Sequence, residues 1–461
     1  MSTITIAAIA AALACFTLLG LKARRRDERL DDYVTARNSQ SGMALGLSFL
    51  ASGMGAWILF APPEIGAFVG PLAVAGYALG SALPFIVLGL FGPAIRRRLP
   101  EGRSIGEFAQ HCHGSLVQRA VALVSVLYMG CFLAAELTAI GAITGLLSGG
   151  SGQWVIVAVA VTTLIYTAAG GLRASLATDR WQAWLLMALL VLVAGVTLSR
   201  LPSLPPLSAL PSLPTGDALS VALTLIIAVT AANLFHQGYW QRVWAARDDT
   251  ALVRGAWLGG GLTVIVVAVV GGLGMLAAAS GVALGQPPIP FFALLADAPA
   301  WLALPALVLA VTLVASSVDT LQNALASLAS AAGGARQRSL REARWITVAL
   351  MVPVVLIALQ GLSVLRLFLI ADLLCAAIVV PVMLGLWSRM RPLAAIGGGV
   401  AGLIATLVPG WLAGGSLQAG LLAASFPNGV PTLAPFLWAL VVSSLVSVAL
   451  ALVAGRPRQL A

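Results

Sequence analysis

The segment PALVLAVTLVASSVDTLQNALASLAS carries Thr312, Ser316, Asp319, Thr320 and Asn323 at spacings of mostly three or four, with Ser317 beside them. On a helix this spacing makes one polar stripe on an otherwise apolar rod. Hydroxyls and a carboxylate are hard oxygen donors, and such a set suits a small hard cation. A carboxylate inside a long apolar run is costly to bury and is usually retained for function. The alternative is that these groups hydrogen-bond neighbouring helices, which is stronger for the outlying Thr312 and Asn323.

Other polar groups interrupt apolar sequence in the same way. Glu136 lies in YMGCFLAAELTAIG and Asp372 in RLFLIADLLCAA. Either suits a substrate, a proton or pairing between helices. Arg366 stands six residues before Asp372, a spacing that does not bring the two face to face. Asn233 and His236 are three apart and share a face, as a pocket wall requires. Trp240, Arg242 and Trp244 follow and read as an interfacial aromatic belt with a snorkelling cation. In GLSFLASGMGAWILFAPPEIGAFVG, Gly53 and Gly55 stand beside Met54, Ala56 and Trp57. They point either to an unwound stretch with free carbonyls or to close helix packing through small residues. Glu64, after Pro62 and Pro63, falls near the outer mouth. His111, Cys112 and His113 have the residue types of a metal pair but read as an ordinary loop beside positive charge. Cys15, Cys112, Cys131 and Cys375 are far apart, so neither a disulfide framework nor a zinc site is indicated.

The elements that position these groups must be membrane helices. Of 461 residues, 60% are hydrophobic and 9% charged, against roughly 25% charged in a soluble domain. So few charges cannot clothe a soluble protein of this size, which excludes a soluble enzyme or transcription factor. Apolar runs near 3–21, 43–60, 71–94, 116–147, 153–170, 181–199, 218–237, 255–280, 299–330, 345–360, 363–387, 393–413 and 434–455 predict an all-α polytopic protein of about thirteen spans. The net charge of +10 sits in short clusters between them. That is the positive-inside pattern and not a nucleic-acid face. An outside N-terminus puts Arg96–Arg98, Arg242/Arg247/Arg254, Arg336/Arg338/Arg341/Arg344 and Arg389/Arg391 in the cytoplasm, together with a loop at 171–180 and the C-terminus. The first run has its charges after it and no cleavage site, so it is expected to stay as a helix.

Four segments resemble the sodium:solute symporter family of proline, pantothenate, sialic acid and glucose carriers. GGLRASLATDRWQ (Gly170–Gln182) is similar to its GGL…TD…Q segment, and HQGYWQRVWAARD (His236–Asp248) to its QR…AA segment. ASGMGAW (Ala51–Trp57) resembles the broken first core helix of the proline carriers, and ASSVDTLQNA (Ala315–Ala324) the paired-serine sodium helix. The resemblance implies a LeuT-type core of two inverted five-helix repeats, at 43–200 and 218–392. A Pro-rich periplasmic linker at 201–217 would join them, with an extra helix and basic loop at 1–42 and two helices and a short tail at 393–461.

The resemblance also implies sites. Sodium would be held by the Ala51, Met54 and Leu313 carbonyls and the Ser316 and Ser317 hydroxyls. A second cation site would use Asp179 with Ser316, Asp319 and Thr320. Substrate would lie beside Gly53, Gly55, Trp57, Glu136, Asn233 and His236. The chain departs from the pattern with Asp319 where serine is usual, which leaves sodium or a proton open there. It also has Gly53 where proline carriers have aspartate, which argues against proline as solute. The implied activity is sodium-coupled import of a small organic solute by alternating access. Sodium is the coupling ion, and the expected partners are the solute and the lipid bilayer, with no nucleic acid. The expected setting is the bacterial inner membrane, and the expected working unit a monomer. The alternatives are proton coupling through Asp319 and Asp179, or a sensory transporter-like module. The short tail after the last span argues against an attached output domain. No nucleophile, base or metal set for an enzyme is evident.

Overall fold

The computed structural model describes residues 3–22, 37–53, 56–200, 206–331, 340–427 and 430–453; the side chains of 51–53, 56 and 168–183, among others, also lie outside the described set. Every regular element among the described residues is helical. In chain order they are α1 (Thr3–Lys22), α2 (Gly42–Gly53), α3 (Ala61–Phe68), α4 (Pro71–Arg98), α5 (Ile105–His113), α6 (Ser115–Ser148) and α7 (Gln153–Arg200). After the linker come α8 (Thr215–Asn233), α9 (Gln237–Ala245), α10 (Asp249–Ala279), α11 (Pro290–Ala293), α12 (Ala300–Ala331), α13 (Leu340–Ala358) and α14 (Val364–Met383). The chain closes with α15 (Pro392–Ala405), α16 (Val408–Gly414), α17 (Leu417–Ala424) and α18 (Leu433–Val453). Among the described residues, 8 helical stretches are long and apolar enough to cross a membrane, and shorter apolar helices cover Thr3–Leu18, Gln153–Thr167, Leu186–Thr197 and Trp345–Ala358. The protein is multi-pass.

The boundaries correct the sequence expectation in two places. The loop expected at 171–180 is helical, so the fifth and sixth runs are joined in one 48-residue helical stretch, α7, whose apolar parts stay separate at Gln153–Thr167 and Leu186–Thr197. Arg, Ala, Leu and Gln are good helix formers and no proline interrupts them, so Gly170 and Gly171 alone do not stop the helix. The run at 393–413 is instead two helices. It stops at Thr406 and restarts as α16 with a proline in its first turn, where the missing N–H costs nothing.

The two ends of the molecule gather different loops. At one end Asn38 N–H donates to the Trp244 carbonyl at 3.0 Å, and Arg37 reaches the Pro100 carbonyl at 2.6 Å. There Arg96 and Arg97 pair with Asp249 at 3.6 and 3.3 Å. Arg98 donates to the Leu386 carbonyl at 2.8 Å. Arg37 and Arg96–Arg98 therefore meet the segments at Trp244–Asp249 and Leu386 on one side, as loops of one compartment must. At the other end Leu213 N–H donates to the Val69 carbonyl at 3.1 Å, Ser363 Oγ donates to Glu64 at 3.5 Å, and Arg366 holds the Ser425 carbonyl at 3.0 Å.

Between the ends, α10 packs on α2, α3 and α4, and α8 packs on α4. A Cβ on Gly274 would collide with the Pro63 carbonyl, and one on Gly76 with Ala222, so these helices touch backbone to backbone. A second group surrounds α12, which packs on α6, α7, α13 and α1.

Candidate functional site

Two of the helices are interrupted. α2 stops at Gly53, and a 3-10 turn at Ala56–Leu59 leads into α3. α8 stops at Asn233, and His236 opens α9 after a short break. A helix end leaves carbonyls without partners inside the chain. One of these, at Leu234, accepts a hydrogen bond from Trp240 Nε1 at 2.6 Å. Trp244 Nε1 serves the Leu99 carbonyl in the same way at 2.7 Å. Both tryptophans are buried, so they are internal clamps and not the interfacial belt expected from sequence. Arg242 does not snorkel either. Its Nε donates to the Ser48 carbonyl and hydroxyl at 3.1 and 3.0 Å, and another guanidinium nitrogen donates to the Gly238 carbonyl. The two interrupted helices are thereby tied together.

The α12 stripe faces inward. Leu313, Ser316, Ser317 and Asp319 are buried, and Thr320 is half-buried. Thr320 Oγ1 donates to the Ser316 carbonyl at 3.1 Å and lies 3.3 Å from Asp319 Oδ1. The other carboxylate oxygen of Asp319 accepts from the Tyr166 hydroxyl at 2.6 Å. Thr312 turns its hydroxyl back on the Val308 and Leu309 carbonyls of its own helix. Ala51 and Gly53 lie in the last turn of α2, with side-chain surroundings outside the described set; Met54 and Gly55 lie outside the described residues. Asp179 is within helix α7 and not in a loop, and its side chain, like that of Asn323, is outside the description.

Glu136 is wholly buried on α6. Its Oε1 accepts from the Trp57 main-chain N–H at 2.8 Å, and Ser317 interacts with the same carboxyl. The sequence reading placed Glu136 in a substrate pocket. In the structure it joins the interrupted second span to the paired-serine helix, among the expected cation ligands.

Beside it lies a small cavity lined by Trp57, Tyr77, Tyr128, Phe132, Phe368 and Asp372, with Asn233 at its wall. Asn233 Oδ1 accepts from the Tyr128 hydroxyl at 3.2 Å. Of the expected substrate residues, Trp57 and Asn233 line this space, while Glu136 and His236 do not. His236 stands behind the cavity, with its ring 6.4 Å from that of Phe132 and 4.7 Å from that of Tyr239. It occupies the N-cap position of α9 but makes no side-chain cap.

Sequence reasoning missed two contributors. Tyr166 anchors Asp319, and Thr163, one turn earlier, accepts from Gln322 Nε2 at 3.1 Å. Their spacing of three in VTTLIYTAAGG was a readable signal. The aromatic lining came from four separate stretches of chain and left no local pattern. The His111–Cys112–His113 triplet is structural: His113 Nε2 lies 3.1 Å from the Val382 carbonyl, which makes that nitrogen the donor, and Cys112 is buried.

Residues 33–209 match the sodium:solute symporter family. The chain is 29% identical over 389 residues, 82% of its length and 75% of the relative's, to a Candida albicans protein named spermidine transporter DUR31. Its fold matches, at TM-score 0.69, 17% identity and full coverage of both chains, a Na+-coupled sialic acid symporter in a substrate-bound outward-open state. It also matches Mhp1, a nucleobase-cation-symport-1 family transporter in a closed conformation with bromovinylhydantoin bound, at TM-score 0.58 and 16% identity, over 90% of this chain and 92% of that one. The fold is LeuT-like, and these relatives are transporters, not enzymes.

Proposed function

We propose that this chain, a LeuT-fold relative of the sodium:solute symporters, imports a small organic solute together with sodium by alternating access. The observation that carries this reading is the Glu136 carboxyl, set between the Trp57 N–H of the interrupted second span and Ser317 on α12. It ties the turn that interrupts the second span to the helix that carries the paired serines, and so joins the two packing groups at one place. A cation held there has different affinity for arrangements in which the groups are close or apart, and only such a difference lets an ion shift a conformational balance. The Ala51, Met54 and Leu313 carbonyls and the Ser316 and Ser317 hydroxyls are the proposed ligands.

The relative named as a spermidine transporter supports an amine as the solute. Two inverted five-helix repeats, at 43–200 and 218–392, and an outside N-terminus belong to the same proposal. The meeting of Arg37 and Arg96–Arg98 with the segments at Trp244–Asp249 and Leu386 supports the orientation. A second reading, proton coupling through Asp319 and Asp179, is favoured by the full burial of Asp319 and its 2.6 Å bond from Tyr166.

Thermal unfolding of the purified protein in sodium chloride against equal potassium chloride tests the first reading. Sodium is expected to raise the Tm, and Ser317→Ala to move the half-maximal sodium concentration upward severalfold. Equal Tm values in the two salts would remove sodium from the mechanism.

A further inference from the structure

We propose that the cavity around Asp372 is an organic-ammonium site, in which the carboxylate pairs with a protonated amine of the solute and the surrounding rings present their faces to it. This rests on the transport reading above and names the group that selects the solute.

The first observation is an unanswered charge. Asp372 is only 6% exposed, and no described residue donates a hydrogen bond to it. Arg366, on the same helix, is engaged with the Ser425 carbonyl, and Arg242 with Ser48 and Gly238. Among the described lining residues Asp372 is the one charged group. A carboxylate in such a place is expensive unless a cation meets it.

The second observation is what surrounds it. Trp57 and Tyr77 stack at 5.8 Å, Phe132 stands edge-on to Trp57 at 6.3 Å and to Tyr128 at 5.9 Å, and Phe368 lies 4.9 Å from Phe132. The rings hold one another in an interlocked wall. Aromatic faces carry negative potential and attract cations, strongly so when water is excluded. Oxygens are present at Asp372, Asn233, Tyr77 and Tyr128, but the ring faces between them serve an organic cation and not a bare metal ion. An alkylammonium is well served, since its charge meets Asp372 and its methylenes meet the rings.

The third observation is room. The space enclosed is about 20 Å3, enough for a single water molecule. A solute therefore enters only as the rings part, which couples its arrival to movement of the helices that carry them. Those helices include the one bearing Asp372 and the turn bearing Trp57, whose N–H is held by Glu136 at the proposed sodium site.

The test is binding to the purified full chain, read by thermal shift and titration calorimetry. Spermidine and putrescine are the probes, with glucose and acetate as neutral and anionic controls, each in sodium and in potassium. The amines are expected to bind and the controls not. Asp372→Asn should weaken amine binding at least tenfold, or about 1.4 kcal/mol. Asp372→Glu should retain part of it, and Tyr128→Leu should weaken it severalfold. Sodium-induced stabilisation should survive in all three, which also shows that they fold. Amines binding Asp372→Asn as tightly as the parent, or a neutral or anionic solute binding in their place, would overturn the site. Loss of the sodium effect in the parent protein, with amine binding intact, would instead overturn sodium coupling and leave the ammonium site standing.

Discussion

The main-chain N–H of Trp57 donates to Glu136 Oε1 at 2.8 Å, in a wholly buried position between the turn that interrupts the second span and helix α6. The 3-10 turn at Ala56–Leu59 exposes backbone groups that a continuous helix would have paired, and Glu136 answers one of them. Glu136→Ala leaves that N–H buried without an acceptor and should cost about 1–3 kcal/mol of stability. Glu136→Gln keeps a carbonyl acceptor and should cost less, while weakening the sodium-dependent Tm shift. Melting curves of both variants in sodium and in potassium decide this. An Ala variant as stable as the parent would show that the contact is not made.

Tyr166→Phe removes the hydroxyl that fixes Asp319 and nothing else of comparable size. A buried bond to a charged group is worth roughly 1.5–3 kcal/mol. The variant should therefore be measurably less stable. If Asp319 serves the cation, the half-maximal sodium concentration should move severalfold. Asp319→Asn separates the ions. Uptake into proteoliposomes that loses its sodium dependence identifies a sodium ligand, whereas loss of pH-driven uptake alone identifies a proton carrier. Parent-like uptake under both gradients excludes Asp319 from coupling.

Orientation is open to direct labelling. Ser208 and Glu101 are exposed and belong to loops gathered at opposite ends. In a background lacking Cys15, Cys112, Cys131 and Cys375, Ser208→Cys should react with an impermeant maleimide from outside intact cells. Glu101→Cys should react only after permeabilisation. The reverse pattern would invert the proposed topology.

Asp248 caps α10 by accepting from Ala251 N–H at 2.7 Å and pairs with Arg247 at 3.1 Å. The cap bond first, and Arg247 next, hold its carboxyl below the ordinary 3.8. The folded value lies under the unfolded one. Its contribution to stability is therefore complete above the unfolded value and is lost as pH falls through the folded value. Asp248→Asn keeps a capping oxygen and should flatten the acid dependence of Tm as pH falls through and below the ordinary carboxylate value. Asp248→Ala should lower Tm at neutral pH as well. Parallel Tm curves for the parent and the Asn variant would rule the linkage out.

What the sequence made legible followed from local pattern. The apolar runs located the helices because burial in lipid demands unbroken stretches, and the spacing of Ser316, Asp319 and Thr320 declared a shared face. The break after Gly53 was legible because two glycines in three residues weaken a helix. Other features depended on distant partners. Trp240 and Trp244 looked like surface belt residues because nothing nearby in sequence reveals the Leu234 and Leu99 carbonyls they serve. Glu136 was recognisable as costly, but its bond to Trp57 spans two helices. The wall around Asp372 assembles rings from four separate stretches of chain, and no periodicity records such a meeting.

The backbone-to-backbone seams at Gly274 and Gly76 have a mechanical consequence. Where side chains interdigitate, rotamers can give way and two helices can slip past each other. Where carbonyl meets Cα there is nothing to give, so α3, α4, α8 and α10 are stiff toward one another and must tilt as one block. Relative displacement then falls outside that block, where the 3-10 turn at Ala56–Leu59 meets α12. The proposed sodium ion, held between that turn and α12, would act as a bolt: bound, it locks the two together, and withdrawn, it frees them.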